Sequence, residues 1–163
     1  MVKGLADVTT DAQREMVEGI ITKAREMLEA DGILIPVGFV VKGRAVHIVF
    51  MQNFVGEAAK DSAAAYLSKM SADLGADMVV FVGEAWSVTR PNVAEASKVV
   101  DVASEPDREE VVAFEVETWR GRVSGLAKQT RVSKHSATFG EVSWEETLSG
   151  RFVGILAADA ERN

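Results

Sequence analysis

Hydrophobic positions along this chain recur with two different periods, and the switches between them outline its elements. From Asp11 to Ala30, Met16, Val17, Ile20, Ile21, Ala24, Met27 and Leu28 fall on one helical stripe, which predicts a long amphipathic helix with a core-facing side. Thr10 and Gln13 are spaced as a capping box at its start, and Gly32 suits the left-handed residue that ends a helix. A second helix is predicted from about Gly56 to Leu74, with Gly75 as its stop and Ala59, Ala63, Leu67, Met70 and Leu74 on its inner side. Between the two helices the period drops to two. Ile33 to Val41 and Arg44 to Gln52 flank Lys42-Gly43 and read as a hairpin. That turn would set Val41 opposite Arg44 and build a buried face from Phe39 with Val46, Val37 with Ile48, and Ile35 with Phe50. The other face would pair Val40 with Ala45, Gly38 with His47 and Pro36 with Val49.

A third strand is predicted from Asp77 to about Arg90. Its first half is apolar on both faces, so a central position covered from both sides is expected. From Pro91 to Glu109 the pattern dissolves into a long loop, with a helical turn around Ala94 to Lys98, and a loop of this length is a candidate lid or binding segment. Two further strands, Glu110 to Trp119 and Arg122 to Val132, flank a turn at Arg120-Gly121. Val112, Phe114 and Val116 share a face with Gly125 and Ala127, while Glu115 and Glu117 point away. Phe139 to Leu148 and Gly150 to Leu156 are weaker strands. This order predicts an α+β fold: a mostly antiparallel sheet of about six to seven strands with two helices packed on one face. One domain is expected over residues 1–163, with 1–9 and 158–163 as flexible ends.

Charge and composition narrow the function classes. The 18 basic and 25 acidic residues give a net charge of -7, which opposes binding to nucleic acid or an anionic membrane. Cysteine is absent, so thiolate chemistry, disulfides and Cys-ligated zinc are excluded. No secretory h-region and no run of about 18 apolar residues is present, and a cytoplasmic protein is expected. His47 and His135 are the only histidines and lie far apart, and the phosphate-loop and dinucleotide glycine signatures are missing. No cofactor is expected.

Candidate chemistry gathers where the apolar strands turn charged. Glu84 should share a face with Val82, Trp86 and Arg90, and a carboxylate beside an indole and a guanidinium can act as acid, base or ligand. The bland alternative is a Glu84–Arg90 or Glu84–Arg108 ion pair closing the sheet edge. Asp107, Glu109, Glu110, Glu115 and Glu117 could instead offer oxygen ligands to Mg²⁺ or Ca²⁺. Pro106-Asp107 followed by Glu115-Val116-Glu117 is similar to the metal-binding carboxylates of the PD-(D/E)XK nucleases, but Glu117 stands at that family's lysine position. Arg120, Arg122, Lys128, Arg131 and Lys134 give the last hairpin a mildly basic side.

At Glu84-Ala85-Trp86 and Pro106-Asp107-Arg108-Glu109-Glu110-Val111 the chain resembles a family of uncharacterised proteins from bacteria and their phages. Members have an EAW strand end, a variable loop, and then P-x-R-E-E-V leading into a strand. The resemblance covers residues 77–118 and implies that Glu84, Trp86, Arg108 and Glu109 belong together, but it brings no activity. The expected function is a non-enzymatic binding or assembly domain, homo-oligomeric, taking a protein partner or small ligand at a strand rim built from Glu84, Trp86, Arg90, Arg108 and Glu109. The alternative is a divalent-metal-dependent hydrolase with Glu84, Asp107 and Glu109 as ligands.

Overall fold

The computed structural model describes residues 4–51 and 56–146. The fold is α+β, built on a seven-stranded antiparallel sheet in the order β2-β1-β3-β4-β5-β6, with β7 also paired to β5. The strands are β1 Val37–Lys42, β2 Ala45–Phe50, β3 Met78–Ser87, β4 Glu109–Thr118, β5 Gly121–Ser133, β6 Ser136–Phe139 and β7 Ser143–Glu146. The helices are α1 Leu5–Val8, α2 Asp11–Asp31, α3 Glu57–Leu74 and α4 Val93–Ala96. β6 and β7 follow one another along a single edge of β5, pairing with Gln129–Ser133 and Val123–Leu126 respectively. The expected strand at Gly150 to Leu156 and the end at 158–163 lie outside the described residues.

Local chemistry explains the helix bounds. The Thr10 hydroxyl accepts the Gln13 N–H at 3.1 Å, and the Gln13 side chain accepts the Thr10 N–H at 2.9 Å. Gly32 ends α2 at φ 73, and Gly75 ends α3 at φ 63, a conformation that other L-residues adopt only with strain.

The two long helices do not share one face, as expected from sequence, but take opposite faces. Val17, Ala24 and Leu28 of α2 pack with Val80, Val82, Val112, Phe114, Val123, Ala127 and Phe139. Leu67 of α3 packs with Val40, Val79 and Phe81 on the other side. The physical reason lies in β3, whose alternate residues are apolar in both directions and need cover on both faces. Arg25 fastens α2 to the sheet by donating from Nε to the Phe139 carbonyl at 3.2 Å, with its guanidinium 4.5 Å from the Phe139 ring centre. Of the three tryptophans, Trp144 packs against the main core, with its ring centre 6.4 Å from that of Phe114.

Three other expectations need correction. Residues 4–9 are not a loose end: Leu5 and Val8 are buried, and the Thr118 hydroxyl donates to the Val8 carbonyl. The first hairpin turns at Gly43-Arg44, so that Lys42 faces Ala45 and Val41 faces Val46. Asp77, just before β3, holds this register by accepting the Gly43 N–H at 2.6 Å and facing Lys42 Nζ at 3.6 Å. The shift moves each partner by two positions, so the same residues still share a face. That face is only half buried, however, because Val46, Ile48 and Phe50 lie on the edge strand beyond the reach of α2 and are exposed. The second hairpin turns at Trp119-Arg120, with Thr118 opposite Gly121. The partners shift by two positions, so Val112, Phe114 and Val116 still share a face with Gly125 and Ala127, with Val112 now opposite Ala127 and Phe114 opposite Gly125.

Candidate functional site

β1 stops at Val37, opposite Val82. β3 runs on to Ser87 with β4 alongside it: Glu84 faces Val112, Trp86 faces Glu110, and Ser87 faces Glu109. The two segments flanking the 91–109 loop therefore meet side by side, as the sequence led us to expect. Glu84 and Trp86 continue the strand face that Met78, Val80 and Val82 present to the core under α2. α2 ends at Asp31, so this stretch of the face loses its helical cover and becomes polar.

The space this leaves is a cavity of about 540 Å³ lined by residues including Glu84, Trp86, Glu110, Gln129, Lys60 and Asp101. A 3-10 turn, Val102–Ser104, sits over β3 and closes one side. Asp101 caps that turn, accepting the Ala103 N–H at 3.1 Å and the Ser104 hydroxyl at 2.8 Å.

Electrostatics in the cavity run against Glu84. Its side chain is open to solvent at the mouth, yet enough protein crowds it that burial raises its pKa above 4.5, the ordinary value, and the nearby Glu110 adds to the rise. The Gln129 amide, a backbone hydrogen bond from Leu34 and the Arg131 charge act in the opposite direction. Gln129 is 7% exposed, and neither of its side-chain amide atoms makes a hydrogen bond of normal geometry among the described residues. The Gln129 amide lies close enough to Glu84 to favour its ionised form, although no hydrogen bond of normal geometry joins the two. Ser71 has a buried hydroxyl in the same condition, but it lines neither of the two large cavities.

The remaining candidates surround this cavity rather than enter it. The Arg108 guanidinium lies 4.6 Å from the Trp86 ring centre and donates from Nη1 to the Glu105 carbonyl at 3.1 Å. Stacking a guanidinium on an indole is a favourable electrostatic contact. Arg90 forms ion pairs at 2.9 Å with Glu105 and 2.8 Å with Asp107, pinning the end of the loop to the end of β3. The Arg90 guanidinium holds the Asp107 carboxyl below the ordinary carboxylate value. These contacts stand in place of the expected pairing of Glu84 with Arg90 or Arg108. Glu109 meets Lys128 at 3.2 Å and, one residue out of step with Glu110, belongs to the opposite face of the sheet from Glu84. Glu84, Asp107 and Glu109 therefore do not converge, and no group of three or more metal-ligating side chains forms among the described residues.

Gln129 was missed in sequence. The signal was available, since it continues the inward series Val123, Gly125 and Ala127 and so puts an amide where the pattern calls for an apolar residue. The basic side of the last hairpin is largely engaged within the fold. Arg120 donates to the Thr9 carbonyl, Arg122 sits 3.9 Å from Glu117, and Arg131 donates to the Gly32 carbonyl at 2.7 Å.

A second cavity of about 450 Å³ lies at the other end of the sheet, near Thr10, Met16, Asp77, Thr118 and Trp119. Apart from the exposed Arg44, its polar side chains have partners: Trp119 Nε1 donates to the Ala76 carbonyl at 3.3 Å, and Asp77 and Thr118 are engaged as above.

Among the described residues no helix is long and apolar enough to cross a membrane. No curated protein and no solved structure matches the chain. Residues 3–157 match the family described as Bacteriophage lambda protein ea47, consistent with the expected resemblance to an uncharacterised phage family. With nearly its whole length matched, the chain belongs to the bacteriophage lambda ea47 family.

Proposed function

We propose that this protein is a non-enzymatic binding domain that takes a small ligand in the cavity at the rim of β3, beneath the 3-10 turn. The observation that carries this reading is Gln129, a nearly fully buried residue of the cavity wall whose amide atoms make no hydrogen bond of normal geometry among the described residues. Leaving such a group unsatisfied costs about 1–3 kcal/mol, and an arrangement of that kind is commonly kept for a role outside stability. The cavity volume lies in the usual range for small-molecule sites, roughly 300–1,000 Å³. Trp86, stacked under Arg108, supplies one flat wall.

The test is a fragment screen on the full chain by protein-observed NMR. Saturable shifts at the Gln129 side-chain amide and the Trp86 indole, with the Gln129 shift lost in Trp86→Ala, would support the reading. A diverse library that leaves both signals unmoved would overturn it. A thermal shift with Mg²⁺ or Mn²⁺ that disappears in Glu84→Gln would turn the assignment towards a metal-dependent hydrolase instead.

Homo-oligomerisation is part of the same proposal, with a second copy docking on β2. In an antiparallel pair closed by a two-residue turn, Val46, Ile48 and Phe50 direct their backbone groups away from β1. Pairing about a two-fold axis at Ile48 would satisfy them with the same residues of the second copy. This edge carries neither proline nor acidic residue, the usual guards against strand addition.

A further inference from the structure

We propose that the second cavity, between Thr10 and Trp119 at the opposite end of the sheet, is a binding site for an aromatic carboxylate: a planar apolar ring carrying one negative charge. This site is separate from the β3-rim cavity and goes beyond the reading given to it.

The floor of the cavity is apolar. Val41 is buried beneath it, Met16 of α2 is partly buried beside it, and Trp119 is 56% exposed. Trp119 Nε1 donates to the Ala76 carbonyl at 3.3 Å, which holds the ring in place while leaving much of its surface open. An indole fixed by its polar atom offers a ready platform for offset or edge-on contact with a second ring. The volume of about 450 Å³ lies in the small-molecule range.

Around this floor the polar groups still open to a ligand are donors. Arg44 makes no hydrogen bond or ion pair among the described residues. Arg120 commits one Nη1 hydrogen to the Thr9 carbonyl at 3.4 Å, and its guanidinium carries others. Gln13 uses its side-chain oxygen to accept the Thr10 N–H, so its NH2 is the part of the amide left over. The acceptors, by contrast, are engaged. Asp77 holds the Gly43 N–H and faces Lys42, and the Thr118 hydroxyl oxygen accepts the Arg120 N–H at 3.0 Å. The complement of such a wall is a group made only of acceptors, and a guanidinium fork matches the two oxygens of a carboxylate. An ammonium ligand would bring only further donors. A neutral alcohol would leave the guanidinium charges unanswered. A phosphate dianion would set a second negative charge against Asp77, the lone acidic residue among the described lining.

The experiment is isothermal titration of the full chain with benzoate, naphthoate and indoleacetate, each beside the alcohol that replaces its carboxylate. Naphthyl phosphate serves as the dianion and naphthylmethylamine as the cation, and the tryptophan indole N–H signals are followed by NMR. At least one acid should bind one-to-one, at least tenfold tighter than its alcohol, the phosphate and the amine. It should shift the Trp119 signal and leave that of Trp86 in place. Arg44→Gln changes a side chain without a partner among the described residues, so it should melt with the parent chain while weakening the acid at least tenfold. Trp119→Ala should weaken it as well, whereas Trp86→Ala, in the other cavity, should not. Binding by none of the acids, an alcohol, phosphate or amine that binds as tightly, indifference to Arg44→Gln, or a shift at Trp86 in place of Trp119 would each overturn the proposal. The β3-rim reading stands or falls separately, because its fragment screen is read at Gln129 and Trp86.

Discussion

Gln129 sits on the inward face of β5, in line with Val123, Gly125 and Ala127, and its two amide atoms are buried without partners among the described residues. Replacement by methionine keeps the length of the side chain and its apolar stem while removing both polar atoms. A buried, unsatisfied polar group destabilises by about 1–3 kcal/mol, so Gln129→Met should stabilise by about that amount. For a chain of this length each kcal/mol moves Tm by roughly 2–4 °C, giving an expected rise of roughly 2–12 °C. Gln129 also eases the ionisation of Glu84, so part of the gain is offset at neutral pH, where Glu84 must ionise without that help. Comparison in a Glu84→Gln background removes this opposing effect. Urea denaturation with an unchanged m-value is the appropriate assay, because a shift in midpoint alone then reports stability. A Gln129→Met midpoint lower than that of the parent in both backgrounds would show that the amide is satisfied in the folded protein, and the reasoning from its unmet demand would fail. A stabilised variant that has also lost ligand binding is the result expected of a residue kept for function at the expense of stability.

The remaining predictions address other parts of the fold. A Cβ on Gly125 would lie 2.6 Å from Val142 Cγ1 and 2.8 Å from Trp144 Cζ3, so Gly125→Ala should destabilise by about 1–3 kcal/mol; an unchanged urea midpoint would show that Trp144 moves aside freely. Because the folded pKa of Glu84 is raised, its ionisation opposes folding, and the penalty is fully present above the folded pKa and absent below the unfolded value near 4.5. Glu84→Gln should therefore stabilise at pH 7 to 8 and lose that advantage as the pH falls towards 4, whereas a difference independent of pH would contradict the assignment. Ile48 is 52% exposed on the edge strand, so Ile48→Lys should leave the melting profile of the monomer nearly unchanged while reducing the molar mass seen by light scattering at high concentration. A parent chain that is monomeric throughout would remove the proposed second-copy contact.

The amino-acid sequence by itself determined the local elements and which residues share a face. Helix period, the Thr10–Gln13 box, and Gly32 and Gly75 fix α2 and α3 through interactions within a few residues, so they are legible without tertiary information. Strand alternation did the same for β3 and for the face that Val112, Phe114 and Val116 share with Gly125 and Ala127. It also brought Glu84, Trp86 and the start of β4 together, because an antiparallel pair joined by a loop must place those ends side by side. Which groups then bond across the fold was decided only in three dimensions. Asp77, just ahead of β3, reached across to reset the first hairpin turn, Arg90 chose Glu105 and Asp107 over Glu84, and β2 fell beyond the cover of α2. Gln129 became a cavity wall for the same reason: the helix above it ends at Asp31 and the 3-10 turn closes in from the side. Periodicity specifies the direction in which a side chain leaves its strand, but what it meets there depends on where other elements stop, which is a property of the packed chain as a whole.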